Sequence, residues 1–212
     1  MSKIYLLRHG RTPWNKDRIF RGRADIPLDD HGQAQARCAG EALAETEIAS
    51  IYSSPLLRAV QTAKPLSAQK KLQITEVPEF LDIDYGQWTG KSQEKVEELF
   101  TDQHNEWLAN PHKVIFPEGE DLAAVRERAF PKLRELAAAA DGPPIVVVSH
   151  RVALKVLVCA ALELELASFW QIQMDPASLS LLEFDGNRFK LLILNDTCHL
   201  RLLQTPGDSY DF

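Results

Sequence analysis

The apolar positions of this chain fall into two kinds of run. Ile4-Tyr5-Leu6-Leu7 and Ile145-Val146-Val147-Val148 are continuous and partly β-branched, the pattern of strands buried on both faces rather than strands with one wet face. Elsewhere the apolar residues recur at helical spacing, as in Leu56, Ala59, Val60 and Ala63, and again in Leu122, Val125, Ala129, Leu133 and Leu136. Strands are therefore predicted near 3–8, 49–53 and 144–149, alternating with helices near 31–46, 55–67 and 152–162. Such alternation predicts an α/β fold, a three-layer αβα sandwich with a mostly parallel central sheet and helices on both faces. A further helix is expected over 120–140, with a kink at Pro131. Residues 178–184 and 188–194 flank Asp185-Gly186-Asn187, a hairpin signal that would extend the sheet. Between 91 and 118 the pattern turns charged and aromatic, with Trp107, Pro111 and Pro117, and predicts a small helical cap closing over a crevice. The whole of 1–212 reads as one domain carrying that insertion.

Two of the predicted strands end on histidine. Ligands of open α/β sheets bind beyond the carboxyl ends of the strands, so His9, after Arg8, and His150, after Ser149, are expected at one crevice although far apart in the chain. Ser53-Ser54-Pro55 predicts the start of the third helix, with serine as cap and proline in the first turn. That helix turns its apolar stripe to the core and leaves Arg58 on another side, able to face the cleft. Arg8, Arg11, Lys16, Arg18, Arg21 and Arg23 crowd residues 8–23 against a single acid, Asp17, in a chain whose net charge is -6. A basic cluster inside an acidic protein points to a local anion site; a nucleic-acid surface usually needs a domain that is basic as a whole.

Arg8-His9-Gly10 followed by Thr12, Trp14 and Asn15 resembles the signature of the histidine phosphatase superfamily, which includes cofactor-dependent phosphoglycerate mutases and many small phosphatases. The resemblance continues through Gly22, Asp25-Ile26-Pro27-Leu28 and Gly32 to Ser53-Ser54-Pro55-Leu56-Leu57-Arg58, then Asp82-Ile83-Asp84-Tyr85-Gly86, then Ser149-His150. It implies a phosphoglycerate mutase-like fold and a phosphohistidine formed on His9, with His150 hydrogen-bonding the transferring phosphoryl group. The supporting chemistry is general. Arginine neutralises a phosphate through a planar two-donor fork that never loses its charge, which points to Arg8 and Arg58. An unprotonated imidazole can attack phosphorus and split one hard displacement into two easier ones. The leaving alkoxide then needs a proton, which a carboxylic acid made weaker by burial or by a nearby phosphate can supply. Relatives usually carry glutamate four residues before the glycine at 86; here that position is Asp82, one methylene shorter, with Asp84 or a water as the other candidate.

Arg21, where many relatives carry glutamine, and Arg151, where many carry glycine, add positive charge near the pocket. An anionic substrate and an entrance-narrowing salt bridge both account for them. Asn15 is a candidate phosphate or hydroxyl donor, Gly22 a candidate substrate-binding position, Thr12 mainly a turn residue, and His199 structural.

The remaining composition narrows the partners. Cys38, Cys159 and Cys198 have no metal-like spacing and are odd in number, which fits a reducing cytoplasm. The histidines form no HExxH pair, so a zinc hydrolase is not expected, and the metal-independent phosphatase that the resemblance implies calls for no cofactor. Gly86-Gln87-Trp88-Thr89-Gly90-Lys91-Ser92 is one residue too short between its glycines for a phosphate-binding P-loop. No secretory signal is evident, and the apolar run 152–162 is too short to span a bilayer, so no membrane partner is expected. The expected function is metal-independent hydrolysis of small phosphomonoesters, with phosphoserine, α-ribazole phosphate, 3-phosphoglycerate and sugar phosphates all compatible. The alternatives are a phosphoglycerate mutase and a noncatalytic phospho-ligand binding module. Oligomeric state is open, a homodimer included.

Overall fold

The computed structural model describes residues 1–203. Its strands are β1 (Ser2–Arg8), β2 (Ser50–Ser53), β3 (Ile74–Glu76), β4 (Ile145–Ser149), β5 (Leu179–Phe184) and β6 (Phe189–Asp196). Its α-helices are α1 (Pro13–Lys16), α2 (Asp30–Ala42), α3 (Leu57–Lys70), α4 (Gln93–Leu99), α5 (Thr101–Ala109), α6 (Leu122–Ala139) and α7 (Arg151–Ala161). The sheet order is β3-β2-β4-β1-β5-β6, with β3, β2, β4 and β1 mutually parallel, and β5 antiparallel to both of its neighbours.

The continuous apolar runs follow from helices on both faces. Ile4, Leu6, Ile145 and Val147 pack with Leu122, Val125, Ala129 and Leu133 of α6 and the buried face of α7. The alternate residues, Leu7, Val146 and Val148, pack with Ala39 and Leu43 toward α2 and Ala59, Ala63 and Leu66 of α3. Each strand therefore feeds two cores, and a large aliphatic side chain fully buried in either contributes about 1.5–3 kcal/mol. The Asp185-Gly186-Asn187 turn joins β5 to β6 as expected, with the amides of Asn187 and Arg188 donating to Asp185 Oδ1 at 2.8 Å each. No helix among the described residues is long and apolar enough to cross a membrane.

The elements differ from the sequence expectation at α1, a one-turn helix in a segment with no helical pattern, at β3, and at the ends of α2 and α3. The sequence pattern predicts no strand at β3: it is three residues long, half-buried to exposed, and paired to β2 alone, so it has too few core positions to leave a pattern. α2 stops at Ala42, earlier than the expected 46. α3 begins at Leu57, beyond Ser53-Ser54-Pro55, and the first free amide, that of Leu57, donates to Asp25 Oδ1 at 2.7 Å. The cap is thus supplied by a carboxylate 32 residues upstream, satisfying an orphan donor that local sequence left to serine. The expected helical region at 91–118 contains α4, α5 and a 3-10 turn, Pro111–Lys113. It is anchored through aromatic contacts: Trp88 stands edge-on to Phe116 at 4.9 Å, and Tyr85 to Phe116 at 5.0 Å.

Candidate active site

Three parallel strands deliver side chains to one edge of the sheet. In the register of β1 and β4, Arg8 lies beside Ser149, and the next amide, that of His9, donates to the Ser149 carbonyl at 2.9 Å. His9 and His150, each one residue past its strand, consequently have ring centroids 5.2 Å apart, close to the ordinary spacing of neighbouring strands. On the other side of β4, β2 ends at Ser53, and the amide of Ser54 donates to the Val148 carbonyl at 2.9 Å. Thr62 of α3 joins the two flanks: its hydroxyl accepts from the Gly10 amide at 3.0 Å and donates to the Arg58 carbonyl at 2.7 Å. Gly10 has to be glycine, since a Cβ there would come within 2.5 Å of the Gly32 carbonyl oxygen.

The hydrogen bonds set the tautomers of both imidazoles. His9 Nδ1 lies 2.7 Å from the Gly10 carbonyl oxygen, which only accepts, so Nδ1 carries the proton. Its Nε2 is left with a buried lone pair and no hydrogen-bond partner among the described residues. In His150 the assignment is reversed. Arg58 Nε donates to Nδ1 at 3.1 Å, so the proton sits on Nε2, which donates to Ser54 Oγ at 2.7 Å. Both rings titrate well below the usual histidine range: burial is the main cause for each, reinforced by Arg58 and, at His9, by Arg8 and Arg21. Protonation is thus pushed below pH 6.5, and the nucleophilic form persists as the pH falls toward that value. Nitrogen NMR of ¹⁵N-histidine-labelled protein is expected to show both rings neutral from pH 8 to 6.5, with His9 in the Nδ1–H form; titration of His9 within that window would contradict the tautomer and charge assigned here.

Arg58 is fully buried and held on several sides. Its Nη1 donates to the Ala24 carbonyl at 2.7 Å, its Nη2 to the Gly22 carbonyl at 2.8 Å, and Nη2 lies 3.5 Å from Asp82 Oδ2. Gly22 occupies the left-handed region at φ 50°, and a Cβ there would press on the Ile83 carbonyl at 3.2 Å. Asp82 Oδ2 also stands 3.9 Å from His150 Nδ1, while its Oδ1 accepts from the Ile83 amide at 3.0 Å. Arg8 is buried, with Nη1 donating to the Met174 carbonyl. Burial, together with the positive charges of Arg8 and Arg58, lowers the Arg21 guanidinium to about 9; Asp82 opposes the shift and Arg151 adds to it. Arg21 is still protonated at neutral pH. Arg151 opens α7, lies 5.7 Å from the Trp170 ring centre, and hydrogen-bonds the Tyr85 hydroxyl. The result is a pair of neutral imidazoles among buried guanidinium groups, an environment that favours an incoming dianion.

The structure therefore brings His9, His150, Arg58 and Asp82 together and sets Arg8 and Arg21 within electrostatic reach of His9. Asp84 is turned elsewhere: it is half-buried, accepts from the Gly86 amide at 2.9 Å and lies 3.8 Å from Arg23. Asn15 braces the turn after β1, its Oδ1 accepting from the Thr12 amide at 3.0 Å and hydroxyl at 2.9 Å, while its Nδ2 is buried with no partner among the described residues. His199 has a structural place: its ring hydrogen-bonds the Ala177 carbonyl at 3.0 Å, and the Ala177 amide in turn donates to the His9 carbonyl at 3.2 Å. Ser54, read from sequence as a helix cap, is the residue sequence reasoning missed here; the capping signal masked its contact with His150.

The profile of the histidine phosphatase superfamily, branch 1, matches residues 4–197. The chain belongs to that superfamily. Phosphoserine phosphatase 1 of Hydrogenobacter thermophilus is 36% identical over 94% of this chain and 95% of its own length. Among solved structures, YhfR of Bacillus stearothermophilus superposes with a TM-score of 0.91 at 28% identity, covering 95% of this chain and 100% of that one. A mycobacterial glucosyl-3-phosphoglycerate phosphatase solved with VO3 gives 0.86 at 27% identity, covering 93% and 100% respectively. As a histidine phosphatase of this branch, the chain shares nearly its whole length with these relatives, its α/β fold with the two solved structures, and the phosphatase class of chemistry with the two that are named phosphatases.

Proposed function

We propose that this histidine phosphatase hydrolyses small-molecule phosphomonoesters without a metal, through a phosphohistidine on His9. The observation that carries the reading is the His9 ring itself, with Nδ1–H engaged by Gly10 and a buried, uncommitted lone pair on Nε2. His150 is unsuited to attack, because Arg58 occupies its Nδ1 lone pair and its Nε2 bears the proton. In the first step the Nε2 lone pair bonds to phosphorus as the ester P–O bond breaks, and Asp82 gives its proton to the departing alkoxide. In the second, water attacks the phosphorus, the P–N bond returns its electrons to Nε2, and the Asp82 carboxylate takes the water's proton. Arg8 and Arg58 offset the charge on the phosphoryl oxygens throughout, and His150 joins them when its Nε2–H turns from Ser54 Oγ to a phosphoryl oxygen. On this reading Arg21, Gly22, Arg151 and Asn15 form the substrate side and the segment 91–118 its cap; the charge of Arg21 beside His9 and the uncommitted Nδ2 of Asn15 support it. Free thiols at Cys38, Cys159 and Cys198 support a cytoplasmic location.

Phosphoserine heads the candidate substrates because it is the one named for the 36% identical relative. The test is phosphate release from phosphoserine, 3-phosphoglycerate, α-ribazole phosphate and sugar phosphates in excess chelator. Turnover of at least one at an undiminished rate is expected, without interconversion of 2- and 3-phosphoglycerate. Isomerisation faster than hydrolysis would make the chain a mutase, and binding without turnover would make it a noncatalytic module.

A further inference from the structure

Outside the catalytic cluster, one side chain makes an unusual number of contacts to the segment that carries Asp82. Arg128 projects from α6, and its Nη1 donates to the carbonyls of Glu79 at 2.7 Å and Leu81 at 2.9 Å, its Nη2 to the carbonyl of Asp82 at 3.0 Å. The guanidinium is itself fixed by Glu120, with Nε to Oε1 and Nη2 to Oε2 both at 3.0 Å. Glu120 extends the hold past Asp82: its Oε2 accepts from the Asp84 amide at 3.1 Å, and its own amide donates to the Asp84 carbonyl at 2.9 Å. Oε1 also accepts from Arg23 at 2.7 Å, next to the Gly22 whose carbonyl receives Arg58. Burial works against the charge of Glu120, yet the bonds from Arg128, the Asp84 amide and Arg23 hold its carboxyl below the usual range. The pair is ionised and closed around one loop.

An aspartate has a short lever. Its carboxylate is placed by the backbone and two torsions, so an error in the Asp82 carbonyl position passes almost undiminished to Oδ2, whereas a longer acid could adjust. We propose that Arg128, braced by Glu120, is the positioning residue that sets Asp82 at the leaving-group oxygen. This rests on the reading of Asp82 as proton donor.

Leaving-group dependence separates positioning from mere support. An alkoxide must be protonated as it departs; a 4-nitrophenolate need not be. In single-turnover measurements, Arg128→Met is expected to slow phosphorylation by O-phosphoserine, or by 2-phosphoglycerol if phosphoserine is not turned over, by about tenfold or more. The 4-nitrophenolate burst should change by less than about threefold, the pattern of a lost proton donor. Glu120→Gln, which keeps an acceptor for Asp84 but weakens the ion pair, should shift the same ratio in the same direction by less, and it carries the test if Arg128→Met does not fold. Equal slowing of both substrates, or no slowing of the alkyl ester, would overturn the proposal. Asp82→Asn run in parallel tells the two ideas apart: discrimination by Asp82→Asn but not by the Arg128 and Glu120 variants defeats only the positioning role, while none in Asp82→Asn defeats the proton-donor reading beneath it.

Discussion

Replacing His9 with alanine is expected to lower turnover of every accepted phosphomonoester by at least about four orders of magnitude, because the covalent route disappears while the guanidinium groups that bind phosphate remain. Arg8, Arg58 and Arg21 are held by protein partners or by neighbouring charge, not by His9, so inorganic phosphate should still bind the variant. Activity within about tenfold of the parent would mean that some other group attacks phosphorus. His150→Ala cannot mimic this result by the same cause, since its Nδ1 lone pair already accepts from Arg58.

Asp82→Asn carries the second largest effect. The amide keeps the shape of the carboxyl and its acceptor toward the Ile83 amide but cannot hand over a proton, so alkyl phosphate turnover should fall by roughly 10²–10⁴-fold. With 4-nitrophenyl phosphate the same variant should show a burst of nitrophenolate followed by slow turnover, because the leaving group departs unaided while water still lacks a base. Asp84→Asn should cost less than about threefold, since that side chain accepts from the Gly86 amide and faces Arg23 rather than the imidazoles. Steady-state rates with a single alkyl ester rank the two; the reverse ranking would reassign the acid.

How much of this was legible in the sequence depended on how local each signal was. β1 and β4 were plain because both of their faces are buried, which leaves uninterrupted aliphatic runs, and their ends placed His9 and His150 at one edge. Arg58 was legible only as a residue off the apolar stripe of α3; that it donates to His150 and to the carbonyls of Gly22 and Ala24 depends on loops that sequence cannot fold. The choice between Asp82 and Asp84 was open for the same reason: two carboxylates two residues apart are alike as a string and differ only once the backbone turns one toward Arg58. β3 is invisible because one half-buried and two exposed residues bury too little to impose a pattern. The pattern puts the start of α3 too early because its cap comes from Asp25, and Arg128 gives no signal because a helix arginine looks like a solvated one until its carbonyl partners, 46–49 residues earlier, fold against it.

The most direct measurement is rapid-quench mass spectrometry of active enzyme mixed with a turned-over phosphomonoester and held at alkaline pH to preserve a P–N bond. A phosphoryl adduct on Nε2 of His9 is expected, forming and decaying fast enough to account for turnover. An adduct on another residue, or none within a turnover that proceeds at full rate, would contradict the account.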